Sequence, residues 1–312
     1  MVEAKAASRS CPHCQGKRYL LMRQGDRAVA AVCSCASECR SCDGSGYVLT
    51  TRDETFSKKV GVRTYETLAT CVCRVLKSRV KRFSEAGIPG VLAHADFENF
   101  RAFNQAQHQA KQVATGFSQA FKKGEASRGF ILSGPVGTGK THLLTAALAH
   151  LVLEVGVETR YVEISLLYAT IRRGFQEGKS GGEIIGPLSQ VEVLAIDELG
   201  KGRGSAFELE TLDELIARRY NAGRTTLLAT NYPLEPERKA TATTTKGYRT
   251  SEETKNAGKD AELLRERVGE RIYSRLCEMC DFLGLPPETP DQRRTRQELI
   301  EHRHPAKPRA VS

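Results

Sequence analysis

The chain has 312 residues, of which 40% are hydrophobic and 27% charged, and its formal net charge is +10. This composition predicts a globular protein with one core domain of roughly 170–200 residues and a smaller module. Its longest apolar stretch, residues 143–155, is shorter than the ~20 residues of a membrane span, and residues 1–10 lack the apolar core of a secretory signal, so we expect a cytoplasmic protein with no membrane partner.

Eight of the ten cysteines lie in the first 73 residues, in two copies of one pattern. Each copy reads Cys-x2-Cys-x-Gly, then apolar residues around a polar turn, then Cys-x-Cys, which predicts a β-hairpin whose ends converge on four thiolates. Without a secretory signal, such pairs indicate structural zinc rather than disulfides. We predict two Zn²⁺ ions, and a crossed pairing of the two copies stays open. The paired ligand sets are Cys11, Cys14, Cys33 and Cys35, then Cys39, Cys42, Cys71 and Cys73.

The remaining cysteines and a nearby histidine are expected to have no metal. His13 lies inside the first cysteine pair and is expected to be a bystander. Cys277 and Cys280 have no further cysteine pair and are expected to be buried core thiols. Two four-thiolate zinc sites would each carry about −2, so the working charge falls to about +6, which suits a polyanionic partner or ordinary solubility equally well.

Composition divides the chain into successive parts. Residues 1–75 form the double zinc module, 76–125 a basic helical connector, and 126–295 an α/β domain. The polar stretch 240–259 contains almost no apolar residues and is expected to be a mobile insert. The charged tail, 296–312, is expected to be disordered.

The α/β domain alternates apolar runs with amphipathic segments, which predicts a parallel sheet flanked by helices. The expected strands are residues 129–133, 160–164, 191–196 and 225–230, and the expected helices are residues 140–155, 165–176, 207–221 and 261–277.

A phosphate-binding motif follows the first of these strands. Residues 134–141 fit Gly-x4-Gly-Lys-Thr between a strand and a helix, which is the context of a P-loop. Its glycines let backbone N–H groups surround phosphate oxygens. Lys140 is expected to reach the β- and γ-phosphates of ATP, and Thr141 to bind Mg²⁺. The residues expected to bind ATP are Gly134, Pro135, Val136, Gly137, Thr138, Gly139, Lys140 and Thr141.

Two further strand ends carry polar residues suited to ATP hydrolysis. The run 191–196 ends in Asp197 and Glu198, a Walker B pattern in which Asp197 holds Mg²⁺ and Glu198 acts as the general base. Asn231 ends the next strand and is expected to orient the lytic water, a role called sensor 1. A solvated acidic pair, and an Asn that only starts the turn before Pro233, are the alternatives.

The predicted helix 261–277 carries a row of cations beside its apolar seam. The arginines recur every four residues, one position before the seam residues. The row is placed to reach a neighbouring subunit's nucleotide as an arginine finger, or it is a solvated face with local pairs such as Arg267 with Glu270. The seam is Leu264, Val268, Ile272 and Leu276, and the row is Arg267, Arg271 and Arg275.

Residues 80–295 resemble the DnaC, DnaI and IstB group of AAA+ ATPases, the bacterial replicative helicase loaders. The resemblance rests on the lead-in at residues 87–100, on the P-loop GPVGTGKTHLL, on VEVLAIDELG at 191–200, on LIARRYNAGRTTLLATN at 215–231, and on ERIYSRL at 270–276. The Cys-x2-Cys-x-Gly units look like the glycine-cysteine repeats of DnaJ zinc modules. The insert is longer than expected for the group. The zinc modules replace the helical amino-terminal domain of DnaC, whereas DnaI carries a zinc-binding amino-terminal domain that docks on the helicase.

This resemblance implies a P-loop AAA+ fold of the ASCE type with sheet order 5-1-4-3-2, counted within the ATPase domain. It implies that Arg275 is a trans-acting arginine finger supporting self-association, with Arg271 beside it. It also implies that helix 166–175 contacts single-stranded DNA, a role that suits Arg172, Arg173 and Phe175. Arg293 is the nearest match to a sensor 2 arginine.

Taken with the motifs, the resemblance implies an ATPase that loads a hexameric, DnaB-like replicative helicase. Two alternatives stay open: an IstB-type transposition helper ATPase, and a zinc-module adaptor with a structural nucleotide. The intact Lys140, Asp197 and Glu198 argue against the adaptor.

Overall fold

The computed structural model describes residues 11–57, 61–234 and 262–295. These form two compact units: the first holds the described residues up to His94 with Ala149–Thr159, and the second holds Ala95–Leu148 with the described residues from Arg160 onward. The expected insert 240–259 and tail 296–312 lie outside the described residues. The domain boundaries drawn from the sequence remain predictions.

Two antiparallel hairpins occupy the amino-terminal part of the first unit. One joins β1 (Tyr19–Gln24) to β2 (Arg27–Val32), and the other joins β3 (Tyr47–Ser57) to β4 (Gly61–Thr70). Gly25 turns the first hairpin at φ +62°, a left-handed conformation that glycine adopts without strain. Each hairpin separates a Cys-x2-Cys pair from a Cys-x-Cys pair, so antiparallel pairing brings both pairs to the same end.

Helix α1 (Val72–Glu85) follows β4 directly and packs against β2. Phe83 on its apolar face is fully buried, and the Ser84 hydroxyl accepts a hydrogen bond of 3.0 Å from the backbone N–H of Ala30. The helix therefore adds both an apolar side chain and a polar contact to the interior of the first unit.

The segment Leu151–Val155, which belongs to the first unit, is a π-helical turn capped by Gly156 at φ +81°. Two arginines of α1 donate to carbonyl groups at this helix end: Arg79 Nη1 to Leu153 O at 2.8 Å, and Arg82 Nη1 to Gly156 O at 2.6 Å. Carbonyl groups in the last turn of a helix have no partner within it, and here guanidinium groups satisfy them.

The second unit is built on a five-stranded sheet of the parallel α/β class. The strands, in chain order, are β5 (Gly129–Ser133), β6 (Thr159–Glu163), β7 (Val193–Asp197), β8 (Thr225–Thr230) and β9 (Cys280–Gly284). Their spatial order is β6-β7-β8-β5-β9. Counted within this domain, that is 2-3-4-1-5, so the expected order 5-1-4-3-2 is confirmed.

Helices cover this sheet, in which every residue of β5, β7 and β8 is buried. Strands covered on both faces are almost wholly apolar, and this explains the unbroken apolar runs of the sequence. The helices that lie wholly or mostly in the second unit are α2 (Gln105–Ala120), α3 (Lys140–His150), α4 (Ile164–Gln176), α5 (Gly181–Gln190), α6 (Ala206–Asn221), α7 (Leu264–Val268) and α8 (Glu270–Met279).

Three details of the second unit differ from the sequence-based expectation. The helix expected at 261–277 is two helices, because Gly269 at φ +84° breaks it between α7 and α8. The residue pattern gave no range for β9, the fifth strand implied by the resemblance, since it follows α8 without a turn residue. Helix α5 was also missed: a capping box at Ser180 and Glu183 starts it, and its glycines and proline obscure the periodicity.

Candidate functional site

The P-loop lies between β5 and α3, and its glycines have positive φ angles. A Cβ atom on Gly137 would lie 2.2 Å from the carboxyl group of Asp291, and one on Gly139 would lie 2.5 Å from the ring of Phe100. Both positions therefore need glycine for the backbone conformation and for the close approach of these side chains.

Lys140 opens α3 with its ammonium group folded back over the loop. Its Nζ donates to Gly134 O at 2.8 Å and to Pro135 O at 2.7 Å. Burial lowers the pKa of Lys140 to about 8, the charges of Asp197 and Glu198 oppose this, and Arg293 lowers the pKa further. The lysine is thus within electrostatic reach of both strand-end carboxylates and of the arginine expected to be sensor 2.

Asp197 ends β7 as a buried carboxylate held by two hydrogen bonds. Tyr161 donates its hydroxyl to Oδ2 at 2.8 Å, and the backbone N–H of Glu198 donates to Oδ1 at 2.9 Å. Burial, and then the charge of Asp197, raise the pKa of Tyr161, so its hydroxyl stays a donor. The sequence pattern did not indicate Tyr161, because only its position in β6, beside β7, reveals its role.

Glu198 stands at the turn after β7 with φ +54°, a left-handed conformation that is uncommon for a residue other than glycine. Its carboxylate pairs with Lys201 Nζ, which also pairs with Glu163 Oε1 at 3.2 Å. Burial raises the pKa of Glu198, the lysine opposes this, and the neighbouring Glu163 raises it further. The expected general base is therefore tied to a lysine three residues further along the chain.

The strand end expected to supply sensor 1 has two different polar residues. Thr230 is buried, and its hydroxyl donates to Leu199 O at 2.7 Å. Asn231 is exposed and lines a cavity of about 560 Å³ together with Gly134 and Pro135 at the start of the P-loop. The structure therefore brings Asn231 next to the phosphate-binding loop, with its side chain available.

The three arginines of the expected row lie on two different helices and bind different partners. Arg267, on α7, donates through Nε to Gly200 O at 2.6 Å, and its Cζ lies 5.6 Å from the centre of the Tyr232 ring. The other two, Arg271 and Arg275 on α8, both pair with Asp213, at 3.5 and 2.6 Å. The expectation of a continuous row is therefore wrong, since a glycine break separates the first arginine from the other two.

Helix α4 carries the residues expected to contact single-stranded DNA. Phe175 is 50% exposed, although its ring also lies 6.0 Å from that of Phe207. Arg172 is half exposed and pairs with the buried carboxylate of Glu208 at 3.8 Å. Arg173 is exposed. The helix therefore offers cations and an accessible ring on its outer face.

A buried glutamine that the motifs did not indicate also holds the P-loop. Gln107, fully buried on α2, donates through Nε2 to Thr138 O at 3.2 Å and to Pro290 O at 3.2 Å. It thereby joins the loop to the segment that follows β9. A glutamine at an apolar helix position was the one sequence signal for this contact.

The segment after β9 makes a second contact with the P-loop. The backbone N–H of Gln292 donates to Gly137 O at 2.9 Å, and its side-chain Nε2 donates to Arg101 O at 2.8 Å. These bonds set the stretch that carries Arg293 against the loop. They depend on tertiary structure, so no local pattern predicts them.

The cysteines of the first unit form two separate clusters. One contains Cys11, Cys14, Cys33 and Cys35, the other contains Cys39, Cys42, Cys71 and Cys73, and within each cluster the four sulfur atoms lie within 4.8 Å of one another. The structure therefore groups the cysteines copy by copy, as in the first of the two pairings left open, and not in the crossed pairing. His13 is exposed and belongs to neither cluster.

The sulfur spacing fits a tetrahedral metal site. Four thiolates about 2.3 Å from a zinc ion lie about 3.8 Å from one another, whereas a disulfide requires about 2.05 Å. The observed Sγ–Sγ distances are 3.9 Å for Cys11 with Cys33, and 3.4 Å for Cys42 with Cys73. Each cluster therefore has the donor set and the spacing of a structural zinc site.

The two remaining cysteines differ from each other. Cys280 is buried in β9, and its thiol donates to Thr226 O at 3.3 Å. Cys277 is exposed on α8. The expectation of two buried core thiols is therefore right for Cys280 and wrong for Cys277, because α8 buries the adjacent Leu276 and turns Cys277 to solvent.

Comparisons with known proteins agree with this geometry. The profile of the family described as IstB-like ATP binding protein matches residues 62–241. The replicative helicase loader DnaC of Escherichia coli strain K12 is 30% identical over 156 residues, which is 50% of this chain and 62% of DnaC. DnaC of Buchnera aphidicola subsp. Schizaphis graminum is 29% identical over 148 residues, 47% of this chain and 59% of that protein. The chain thus spans less than two thirds of the relatives it matches.

A solved structure extends the comparison to the fold. The crystal structure of the DnaC helicase loader superposes with a TM-score of 0.50 and 25% sequence identity, covering 63% of this chain and 99% of that one.

None of the helices that the structure describes here combines the length and the apolarity that crossing a membrane requires.

The sheet order, the P-loop after β5 and the acidic pair after β7 define a P-loop ATPase of the AAA+ class. Within that class, the chain belongs to the family of IstB-like ATP binding proteins, since the family profile covers more than half of its length.

Proposed function

We propose that this chain is an ATP-dependent helicase loader: a cytoplasmic ATPase that binds single-stranded DNA and acts on a hexameric replicative helicase. The observation that carries the proposal is that the P-loop with Lys140 follows β5 while Asp197 and Glu198 follow β7, two strands of the same sheet on either side of β8, in a chain that is 30% identical to a replicative helicase loader over half of its length. An intact set of hydrolytic groups favours an enzyme over an adaptor with a structural nucleotide.

In this proposal the P-loop amides and Lys140 bind the phosphates of ATP. Thr141 and Asp197 offer the hydroxyl and carboxylate oxygens that Mg²⁺ prefers, and bound Mg²⁺ would neutralise charge on the phosphates. Glu198 orients the attacking water and accepts its proton. Asn231, exposed beside Gly134, holds the same water.

Two arginines complete the proposed nucleotide site. Arg293 lies near enough to Lys140 to lower its pKa, which supports a sensor 2 role toward the phosphates. Arg275 is 22% exposed and pairs with Asp213, and in an assembly of several copies it would act on a neighbour's nucleotide as an arginine finger.

Binding of DNA and of the helicase is assigned to two other surfaces. Arg172, Arg173 and Phe175 on α4 combine cations for phosphates with a ring for base stacking. The helicase would be held by the double zinc module, in which the eight cysteines between Cys11 and Cys73 would hold two structural Zn²⁺ ions, or by the connector, residues 76–125.

A second function, that of a transposition helper, is supported by the family match itself, because the profile carries the name IstB. The two functions share the ATPase chemistry and differ in the partner. Capture of a hexameric helicase by the tagged chain from native extract would support the loader, and capture of a transposase in its place would overturn it.

Replacing Glu198 tests the hydrolytic part of the proposal. Glu198→Gln keeps the shape of the side chain but removes the base, so we expect kcat to fall by about 100-fold or more while ATP binding is retained. Phosphate release measures kcat, and anisotropy of a fluorescent ATP analogue measures binding. Glu214→Gln, in a surface ion pair with Arg218, is the matched control with unchanged turnover.

Unchanged turnover in Glu198→Gln would remove Glu198 from the role of general base. Loss of nucleotide binding in that variant would instead mean that the carboxylate supports the site and not the chemical step.

A further inference from the structure

A short basic loop follows the Walker B residues. Residues 200–204 read Gly-Lys-Gly-Arg-Gly, and the three glycines have φ angles of +88°, +147° and +69°. Lys201 and Arg203 are exposed. This alternation of glycine and cation gives a sharply turned backbone that presents two positive side chains to solvent.

Side chains from two helices fix the backbone of this basic loop. The buried carboxylate of Glu208 accepts hydrogen bonds from the N–H groups of Arg203 and Gly204, at 2.8 and 2.9 Å. Arg267 donates to the carbonyl groups of Gly200 and Gly202. These hydrogen bonds hold the loop through its backbone, so its conformation does not depend on the side chains of Lys201 and Arg203.

Lys201 forms its ion pairs with the hydrolytic site. Its ammonium group contacts Glu198 Oε2 and lies 3.2 Å from Glu163 Oε1. Glu163 also accepts a hydrogen bond of 2.6 Å from Ser165 in the first turn of α4. The lysine side chain is 54% exposed, so the group that holds the expected general base can also be reached from solvent.

Two carboxylates link the basic loop to helix α4. Glu163, the partner of Lys201, is the residue before α4 begins. Glu208, which binds the backbone of Arg203, also pairs with Arg172 of α4 at 3.8 Å. Lys201 is thus near the start of α4, and Glu208 connects the backbone of Arg203 to Arg172 in the second half of that helix. Together with the arginines of α4, these residues make one basic strip along which a phosphate backbone can lie.

We propose that the basic loop is a second DNA-contacting element, and that Lys201 is a latch that holds Glu198 until a phosphate of single-stranded DNA draws the ammonium group away. This inference rests on the proposed function, in which α4 binds single-stranded DNA. Without DNA, Lys201 keeps the Glu198 carboxylate from the attacking water. With DNA bound along the strip, Lys201 pairs with a phosphate and Glu198 is released for catalysis.

The strength of the pair suits a latch. An exposed ion pair is weak and is screened by salt, so a polyanion that delivers several phosphates to the strip can compete for the lysine. For the same reason the latch lowers the rate without abolishing it, and breaking it is expected to raise turnover by about two- to fivefold.

Lys201→Met removes the ammonium group and nearly keeps the length of the side chain. We expect the kcat of ATP hydrolysis without DNA to rise about two- to fivefold, and oligo(dT) to add little further. Lys201→Arg keeps the charge, so it should retain a low rate without DNA and stimulation by oligo(dT). Lys122→Met breaks another exposed i,i+3 lysine–glutamate pair, with Glu125, and is the matched control.

Binding of fluorescent oligo(dT) is measured on the same proteins as a function of salt. Each phosphate contact on a single strand contributes about 0.7 to the slope of log K against log salt, so Lys201→Met should reduce that slope by about this amount. Circular dichroism of each variant confirms that the fold is unchanged.

The outcomes separate the latch from the function on which it rests. If the unmodified chain does not bind oligo(dT), both the DNA-binding part of the proposed function and the latch are overturned. If it binds oligo(dT) and is stimulated, but Lys201→Met shows the unmodified rates, only the latch is overturned. A lower rate in Lys201→Met without DNA would make Lys201 a supporting residue of catalysis and would also overturn the latch.

Discussion

The sheet of the second unit and the hairpins of the first differ in what is buried. In the second unit every residue of β5, β7 and β8 is buried, so burial of apolar surface stabilises the sheet. In the hairpins of the first unit much of the apolar surface stays in water: Leu49 and Leu68, which are cross-strand partners, are each 69% exposed. The buried side chains at the end of that hairpin are cysteines.

This difference indicates two sources of stability, metal binding in the hairpins and burial of apolar surface in the sheet. A small module that cannot bury enough apolar surface needs another source of stability, such as a structural metal. A sheet covered on both faces by helices has that surface and needs no metal. The hairpins of the first unit should therefore respond to metal and thiol chemistry, and the sheet of the second unit to changes of side-chain volume and buried hydrogen bonds.

Zinc removal is expected to have the largest effect. A structural zinc site contributes on the order of 10 kcal/mol to the folding of a small zinc module, so chelation should unfold the hairpins and release about two zinc ions per chain. Zinc content is measured by atomic absorption, and loss of structure by hydrogen exchange in peptides from residues 11–73. The sheet of the second unit should keep its protection.

Single substitutions refine this test. Cys14→Ser should lower the zinc content to about one ion per chain, whereas Cys277→Ser, which replaces an exposed thiol outside both clusters, should leave about two. A purified chain without zinc whose hairpins are protected from exchange would break the comparison between the units.

Local sequence signals predicted most of the fold. The strands at 129–133 and 225–230 were predicted with the bounds that the structure shows, because turn residues flank each apolar run. The location of β9 was not predicted, although the resemblance implied a fifth strand, since α8 runs into it at Cys280 with no turn residue between them. The broken helix at Gly269 was missed because the spacing of Leu264, Val268 and Ile272 continues across the break.

The candidate site was predictable where one motif holds the chemistry. The P-loop is one continuous segment of the sequence, and so is the Asp197–Glu198 pair. The residue types within each segment are therefore enough to identify it. Tyr161 contacts Asp197 from a different strand, and Lys201 contacts Glu198 through the conformation of the turn after β7. Neither contact follows from the spacing of residues in the sequence. Whether Asn231 and Arg275 act as expected remains a prediction.

Arg219 offers the second test, because it is the largest fully buried side chain of the described residues. Its guanidinium donates to Leu188 O at 2.7 Å, to Val191 O at 2.9 Å and to the Thr226 hydroxyl at 2.9 Å. Arg219→Met keeps the apolar stem but leaves these acceptors without partners, so we expect a loss of about 3–5 kcal/mol in the free energy of unfolding. Urea unfolding followed by circular dichroism measures it.

The neighbouring arginine is the matched control. Arg218 is half exposed and pairs with Glu214 at 2.7 Å, so Arg218→Met should change the free energy of unfolding by no more than about 0.5 kcal/mol. The sequence could have indicated that Arg219 is buried, because its position continues the apolar face of α6 formed by Leu212 and Leu215. Equal effects of the two substitutions would contradict the assignment of Arg219 to the interior.

The smallest effect is expected at Leu68, on the exposed face of the second hairpin. Leu68→Ala removes the same atoms as Leu228→Ala, but Leu228 is fully buried in β8. Deleting a buried leucine costs about 2–5 kcal/mol through lost burial and the cavity left behind. A leucine that stays in water in the folded state loses little, so we expect a change within about 0.5 kcal/mol.

Hydrogen exchange of β3 and β4 follows the effect of Leu68→Ala within the hairpin, and urea unfolding follows that of Leu228→Ala in the sheet. The pair is informative because the deleted atoms are the same and only their surroundings differ. A loss above about 1 kcal/mol for Leu68→Ala would mean that this hairpin face is covered in solution and buries apolar surface after all. In that case zinc would not be the main source of stability in the hairpin, and the hairpin would resemble the sheet of the second unit in depending on buried apolar surface.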